Sequence, residues 1–394
     1  MVKAKVTFWR VILAVLLVGG AYATFIRFFK GLGASTNLSD AFPWGLWIGF
    51  DVMCGVMLAS GGFTLTAAVY LFNIKKFKPI VRPTVLTAFL GYDLVVVALL
   101  FDLGRGYRIW HPLVMWNPHS VMFEVAWCVT LYTSVLSLEF AGVLFERFKM
   151  DTALRIQKAI IIPLVISGVV LSTLHQSSLG SLYLILPNKL HPFWYTSILP
   201  ILFFLSAICV GLAMTIFESS MSAKHFGKQL ELPLMQGLGR TLLVMLGIYT
   251  VVRIEDLFRR DALRLLSRGG WETGLFILEM LLACLIPIGL LLVPRVRETP
   301  KGLYFAALLC LLGFVTNRLN VTITGLESAA GQHYFPKWTE IAVTLAIVAV
   351  GFWIFALAVK YLPIFGHEPA PASVAAKEPK VIATGEVELW NARS

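Results

Sequence analysis

Apolar runs of about twenty residues alternate with short polar stretches along almost the whole chain. They fall near residues 8 to 29, 44 to 72, 83 to 104, 118 to 146, 156 to 176, 194 to 218, 232 to 256, 272 to 294, 301 to 319 and 338 to 362. The in-out alternation of barrel strands is missing, so intrahelical hydrogen bonds must satisfy the backbone in lipid. The pattern predicts an all-α integral membrane protein of about ten transmembrane helices occupying residues 1 to 362. From about residue 363 the apolar periodicity is lost, and His367-Glu368-Pro369-Ala370-Pro371 opens what reads as a disordered cytoplasmic tail to residue 394.

Composition agrees, with 58% hydrophobic residues, 14% charged residues and a mean hydropathy of +0.80. That leaves too little polar surface to cover a soluble globule of 394 residues. The net charge of +11 does not point to nucleic acid, because the lysines and arginines are scattered over short loops without a basic stripe. Their distribution instead reports topology. Alternating spans place Lys75, Lys76, Lys78, Arg82, Arg147, Lys149, Arg295, Arg297 and the basic termini on one side, roughly twenty basic residues against about eleven. Both termini are therefore expected in the cytoplasm of a bacterial inner membrane protein. Arg10, an apolar run and Ala21-Tyr22-Ala23 mimic a signal peptide, but Phe25 to Phe29 extend the run far enough to span, so it is read as the first helix. The five cysteines sit singly inside spans, which argues against disulfides and against iron–sulfur or zinc ligation.

The connections expected on the outer side are longer and rich in Trp, Tyr, His, Pro and Gly, as functional loops are. Ionisable residues inside spans sharpen the picture, since each is costly unless it faces a bundle interior or a cavity. Asp51, Asp102, His119, Glu124, His175, Arg253, Glu255, Glu279 and Arg318 all fall in the outer third or at the outer end. Glu139, Glu218 and Arg240 lie near the cytoplasmic ends, with Asp93 close to the midplane. Arg253 with Glu255 or Glu279, Arg240 with Glu218, and Arg318 are expected to serve as structural ion pairs between helices.

The stretch from Asp102 to Glu124 concentrates this chemistry. Asp102 and Arg105 stand one helical turn apart, and Asn117-Pro118-His119-Ser120 resembles a helix start whose free N–H groups suit an anionic or carbonyl ligand. An interfacial loop anchored by Arg and Trp is the plainer alternative. His175, followed by Gln176, Ser177 and Ser178, is a histidine placed to hydrogen-bond a carbonyl, transfer a proton or simply pack. A dihaem bundle would want histidine pairs towards both sides, whereas His111, His119, His175, His191 and His333 gather on one. No metal site is expected. The segments Leu90 to Val96 and Leu246 to Val252 read alike and hint at a duplicated four-helix unit.

At these residues the chain resembles the NrfD/PsrC family of membrane quinone-interacting subunits, and within it the HybB-type membrane subunits of periplasmic hydrogenases. The resemblance covers nearly all of residues 10 to 362. It rests on Phe42-Pro43-Trp44-Gly45-Leu46-Trp47 with Asp51, on Asp102-Leu103-Gly104-Arg105, on Ser120 to Glu124, on Leu138-Glu139-Phe140 with Glu146-Arg147, and on His175 to Ser181. Phe217-Glu218, Arg253 with Glu255, Arg318 and Tyr334-Phe335-Pro336-Lys337-Trp338 extend it.

The resemblance implies two related four-helix bundles plus additional helices, binding menaquinone or ubiquinone near the periplasmic face without haem or an iron–sulfur cluster of its own. It also implies a four-cluster ferredoxin-like iron–sulfur partner, and through that partner a hydrogenase, another periplasmic redox enzyme or a multihaem cytochrome. On this reading His175 and Asp102 are the proton-exchanging groups, with Arg105, Asn117, His119, Gln176 and Glu124 around the quinone. Asp93, Glu139, Glu218, Asp51 and Glu279 are candidates for a coupled proton path. A transporter and a passive membrane anchor are the rival classes.

Overall fold

The computed structural model describes residues 8–186, 188–226 and 231–365, so the expected tail, His367 included, lies outside the described residues beyond its first three. Nine helices among the described residues are long and apolar enough to cross a membrane. In chain order they are α1 (Val11–Lys30), α2 (Trp47–Leu71), α3 (Lys75–Asp102), α4 (Val121–Arg147), α5 (Asp151–Leu184), α6 (Leu199–Phe226), and, after a further helix, α8 (Trp271–Leu292), α9 (Pro300–Ala330) and α10 (Trp338–Tyr361). The further helix, α7 (Leu232–Arg259), is 28 residues long and occupies the seventh expected position. Its Arg240, Arg253, Glu255, Asp256 and Arg259 make it less apolar than the rest.

Helices α2 to α5 close in a ring, α2 on α3, α3 on α4, α4 on α5 and α5 on α2, and α6 to α9 close in the same order. The sequence expectation of two related bundles is met by this matching of contacts. The bundles touch where α2 and α5 meet α6 and where α2 meets α9, while α1 packs on α10 and α10 on α3. Small residues make the crossing possible. A Cβ on Gly211 of α6 would stand 3.0 Å from the Gly61 backbone nitrogen of α2, and the Ser60 hydroxyl donates to the Ala207 carbonyl at 2.5 Å. Helix ends follow local chemistry. Pro300 opens α9 behind a Thr299 cap that accepts from the Gly302 N–H at 3.1 Å.

Several spans contain wider π turns, at Trp47–Cys54, Ala67–Leu71, Leu281–Leu285 and Asn320–Thr324. The first and last of these face each other between the two bundles. Connections 31–46, 103–120 and 185–198 lie at the Asp102 end of the molecule and are long, whereas 72–74 and 148–150 at the opposite end are short.

Candidate functional site

His175 lies in the interior of the first bundle and is fully buried. Its Nδ1 hydrogen-bonds the Tyr92 hydroxyl of α3 at 3.0 Å, and Tyr92 stands edge-on to Tyr132 of α4 with ring centroids 4.7 Å apart. One turn of α5 puts Ser172, His175 and Gln176 on the same inward face. Gln176 donates to the Val56 carbonyl of α2 at 3.1 Å. Four polar atoms of this group are buried without a partner: His175 Nε2, Gln176 Oε1, Ser172 Oγ and Tyr132 OH. Ser172 and Gln176 lie within reach of the Tyr92 hydroxyl, and Ser172 of Tyr132, so the group is a close polar knot whose unmet capacity, His175 Nε2 foremost, would suit a bound water. Nearer the end of α5, Ser178 donates to Glu124 Oε1 at 2.6 Å.

Asp102 belongs to a second cluster. Its neighbour in charge is Arg27 of α1, which reaches over the end of α3 and donates from Nε to the Phe101 carbonyl at 2.5 Å and from Nη2 to the Leu103 carbonyl at 2.7 Å. Asp102 Oδ1 is buried and unpartnered. Asp51, within electrostatic reach of Asp102, accepts from Thr344 at 2.7 Å. Close by, the fully buried Glu340 accepts from the backbone N–H groups of Asn37 at 2.9 Å and Lys337 at 3.0 Å, and from the Tyr334 hydroxyl. Burial, and then the bond to Glu340, push the Tyr334 phenol well above its ordinary pKa.

The expected single pocket shared by His175 and Asp102 is therefore two clusters. Tyr92, which holds His175, stands ten residues before Asp102 in the same helix, a rise of about 15 Å. The loop residues do not join either cluster. Arg105, Asn117 and His119 are exposed, and Arg105 makes no ion pair with Asp102. The helix expected from Asn117 begins instead at Val121, after a turn in which the Ser120 N–H donates to the Asn117 carbonyl at 3.0 Å. Asp93 follows Tyr92 on α3 and is half-buried. Arg27 and Glu340 escaped sequence reasoning, although each is a charge within or at the start of an apolar span, the signal used for the others.

The expected ion pairs are not formed among the described residues. Glu279 accepts from Trp194 Nε1 at 2.8 Å, Asn317 at 2.8 Å and Asn320 at 2.9 Å. Arg318 lies 3.4 Å above the centre of the Phe203 ring and donates to Asn317 Oδ1 at 3.0 Å and Ser206 at 2.8 Å. Arg253 donates to the Phe193 carbonyl at 2.9 Å, Glu255 pairs with Arg259 at 2.6 Å on the surface, and Arg240 is exposed. Neutral amides and carbonyls take the place of opposite charges because they satisfy a buried ion at a lower desolvation cost than a second ion.

Two cavities complete the geometry. One, of about 400 Å³, opens at the end opposite Asp102 and is lined by Lys78, Arg82, Lys158, Tyr70, Gln157 and Glu139. Glu139 Oε1 and the Tyr132 ring both lie against Gly168, each 3.6 Å from where its Cβ would stand. The other, of about 610 Å³, is an apolar groove between α2, α3, α6 and α10 with Asp51 towards one end. Glu218, whose Oε2 accepts from Thr87 at 2.8 Å and whose Oε1 is unpartnered, also lines it. His175 is the only fully buried histidine among the described residues, so two buried histidines for a bis-histidine haem are not found there, while its free Nε2 is the nitrogen that a single axial ligand would use.

Among the described residues, nine helices apolar enough to span and the further long helix α7, with ionisable groups buried inside them, define a multi-pass helical membrane protein. The profile of the family described as "Polysulphide reductase, NrfD" matches residues 34–330, and the chain belongs to that family. A protein of Escherichia coli K12, "Probable Ni/Fe-hydrogenase 2 b-type cytochrome subunit", is 35% identical over 344 residues, 86% of this chain and 87% of the relative. From Nitratidesulfovibrio vulgaris, "Menaquinone reductase, integral membrane subunit" is 31% identical over 394 aligned residues, 93% of each chain. One of the selenate reductase subunits of Mesobacillus selenatarsenatis is 25% identical over 91% of this chain and 94% of its own. Such relatives are membrane subunits of oxidoreductase complexes.

Proposed function

We propose that the protein is the quinone-reactive membrane subunit of a respiratory oxidoreductase complex, exchanging electrons between an iron–sulfur partner and menaquinone or ubiquinone. The carrying observation is the buried, unpartnered Asp102 Oδ1 beside Asp51 at the end of the molecule that bears the long loops. A quinone converted to quinol takes up two protons with its two electrons, and a carboxyl with a free oxygen can give or accept one of them. The menaquinone reductase and hydrogenase subunits among its relatives support this reading. The Asp102 end would face the periplasm, both termini the cytoplasm, and the long loops a ferredoxin-like subunit linked to a hydrogenase or other redox enzyme. Asp102→Asn and His175→Ala are each expected to lower quinone-linked turnover at least about tenfold with the complex still assembled. Normal turnover in both would reject the assignment.

His175 takes the role of an inward station rather than a direct partner of the headgroup. The orphaned atoms of His175, Ser172 and Tyr132 lead towards Glu139, which opens on the opposite cavity, and waters there would complete a proton route. In reconstituted complexes Glu139→Gln is expected to abolish charge translocation while electron transfer persists. Unchanged translocation would remove Glu139 from the route.

A further inference from the structure

We infer that the groove between α2, α3, α6 and α10 is a lateral entry for a polyprenyl quinone, holding its isoprenoid tail with the headgroup directed at Asp51; this rests on the quinone reading above. The groove is walled by Leu90, Leu94, Met214, Phe217, Val348 and their neighbours. Its extent along α6, from Met214 to Phe226, corresponds to about 18 Å of helix. Along α10 it meets the exposed Phe352, in the middle of that span, which in a membrane faces lipid. Whatever enters is therefore lipid-soluble.

The opposite end decides what it is. There the groove stops at Asp51, which is buried, tied to Thr344 and within reach of Asp102. A phospholipid chain would bring a terminal methyl group against that carboxyl and add nothing to the one hydrogen bond it has from Thr344, leaving its remaining acceptor capacity unmet in an apolar surrounding. A molecule entering head first brings a carbonyl or hydroxyl to Asp51 and leaves only hydrocarbon along the apolar walls. The volume of about 610 Å³ falls within the range of about 300 to 1,000 Å³ usual for ligand pockets and exceeds what a bare ring system needs. Partway along, Glu218 Oε2 is turned to the Thr87 hydroxyl while its Oε1 is buried without a partner, so the tail passes one polar atom in an otherwise apolar wall.

The test compares a long-chain menaquinone with a tail-less naphthoquinone in the complex isolated with its native partners, carrying Met214→Trp, Val348→Phe or neither. Filling the groove is expected to raise KM for the long-chain quinone by about tenfold, the loss that follows when as few as two buried CH₂ groups are expelled. Turnover of the tail-less quinone is expected to stay as in the unsubstituted complex, which also shows that the variants fold. Equal behaviour of the two quinones in both variants overturns the inference while leaving the quinone reading intact. If the unsubstituted complex reacts with neither quinone, it is the quinone reading that fails.

Discussion

Glu279 shows how this protein keeps a carboxylate inside a membrane without a direct ion pair, Arg318 being one asparagine away. Both oxygens are satisfied by neutral donors, two asparagine amides and a tryptophan indole, drawn from α9 and from the connection before α6. In Glu279→Gln one oxygen becomes an amide nitrogen facing donors, so we expect a loss of about 1–3 kcal/mol. Thermal unfolding of the solubilised protein would measure it, and an unchanged midpoint would show that acceptor capacity is not what matters there. At this scale the sequence marked which ionisable residues are buried, because an intramembrane charge is conspicuous wherever it occurs. The partners were not legible. Tyr92 for His175, Thr344 for Asp51 and Asn317 for Arg318 are neutral side chains without a compositional signal, selected by how each helix is rotated.

Among the elements, all the expected spans correspond to helices, and two of the boundaries that moved did so for one reason. The fifth span was expected to stop near residue 176 and the ninth near 319, yet α5 runs to Leu184 and α9 through a π turn to Ala330. Gln176, Ser178, Asn320, Thr322 and Thr324 look like loop residues in the chain but are buried against other helices. Helix contact is equally exacting at Gly313 of α9, where a Cβ would come 2.0 Å from the Ala283 backbone nitrogen of α8. Backbone on both sides cannot yield as a flexible side chain would. Gly313→Ala is expected to push α8 and α9 apart and to lower stability by about 1–3 kcal/mol or more. Faster proteolysis or a lower unfolding temperature would register the change, and wild-type stability would mean that the helices slide freely.

For the whole molecule, counting α7 with the nine apolar helices among the described residues gives an even number of crossings, which would return the chain to the side on which it began. A reporter that matures only in the cytoplasm is expected to be active when fused behind the last residue, and a periplasm-dependent phosphatase active when inserted near Trp110; the reverse pattern would invert the topology. The two related four-helix units were anticipated from a short internal similarity and the family resemblance, and the order in which their helices close was not. That the polar cluster would divide in two was not anticipated either, because α5 was expected to stop near residue 176 and instead runs to Leu184, which sets His175 about 14 Å below the end of its helix. The two bundles also differ in what they enclose. The second carries Arg253 and Arg318 deep inside, with no carboxylate among the described residues at ion-pair distance from either. Glu279 offsets part of that charge, since Asn317 donates to it and accepts from Arg318, which strings the three side chains into one relay. Neutralising Glu279 would therefore strand two guanidiniums at once in the middle of a hydrocarbon slab.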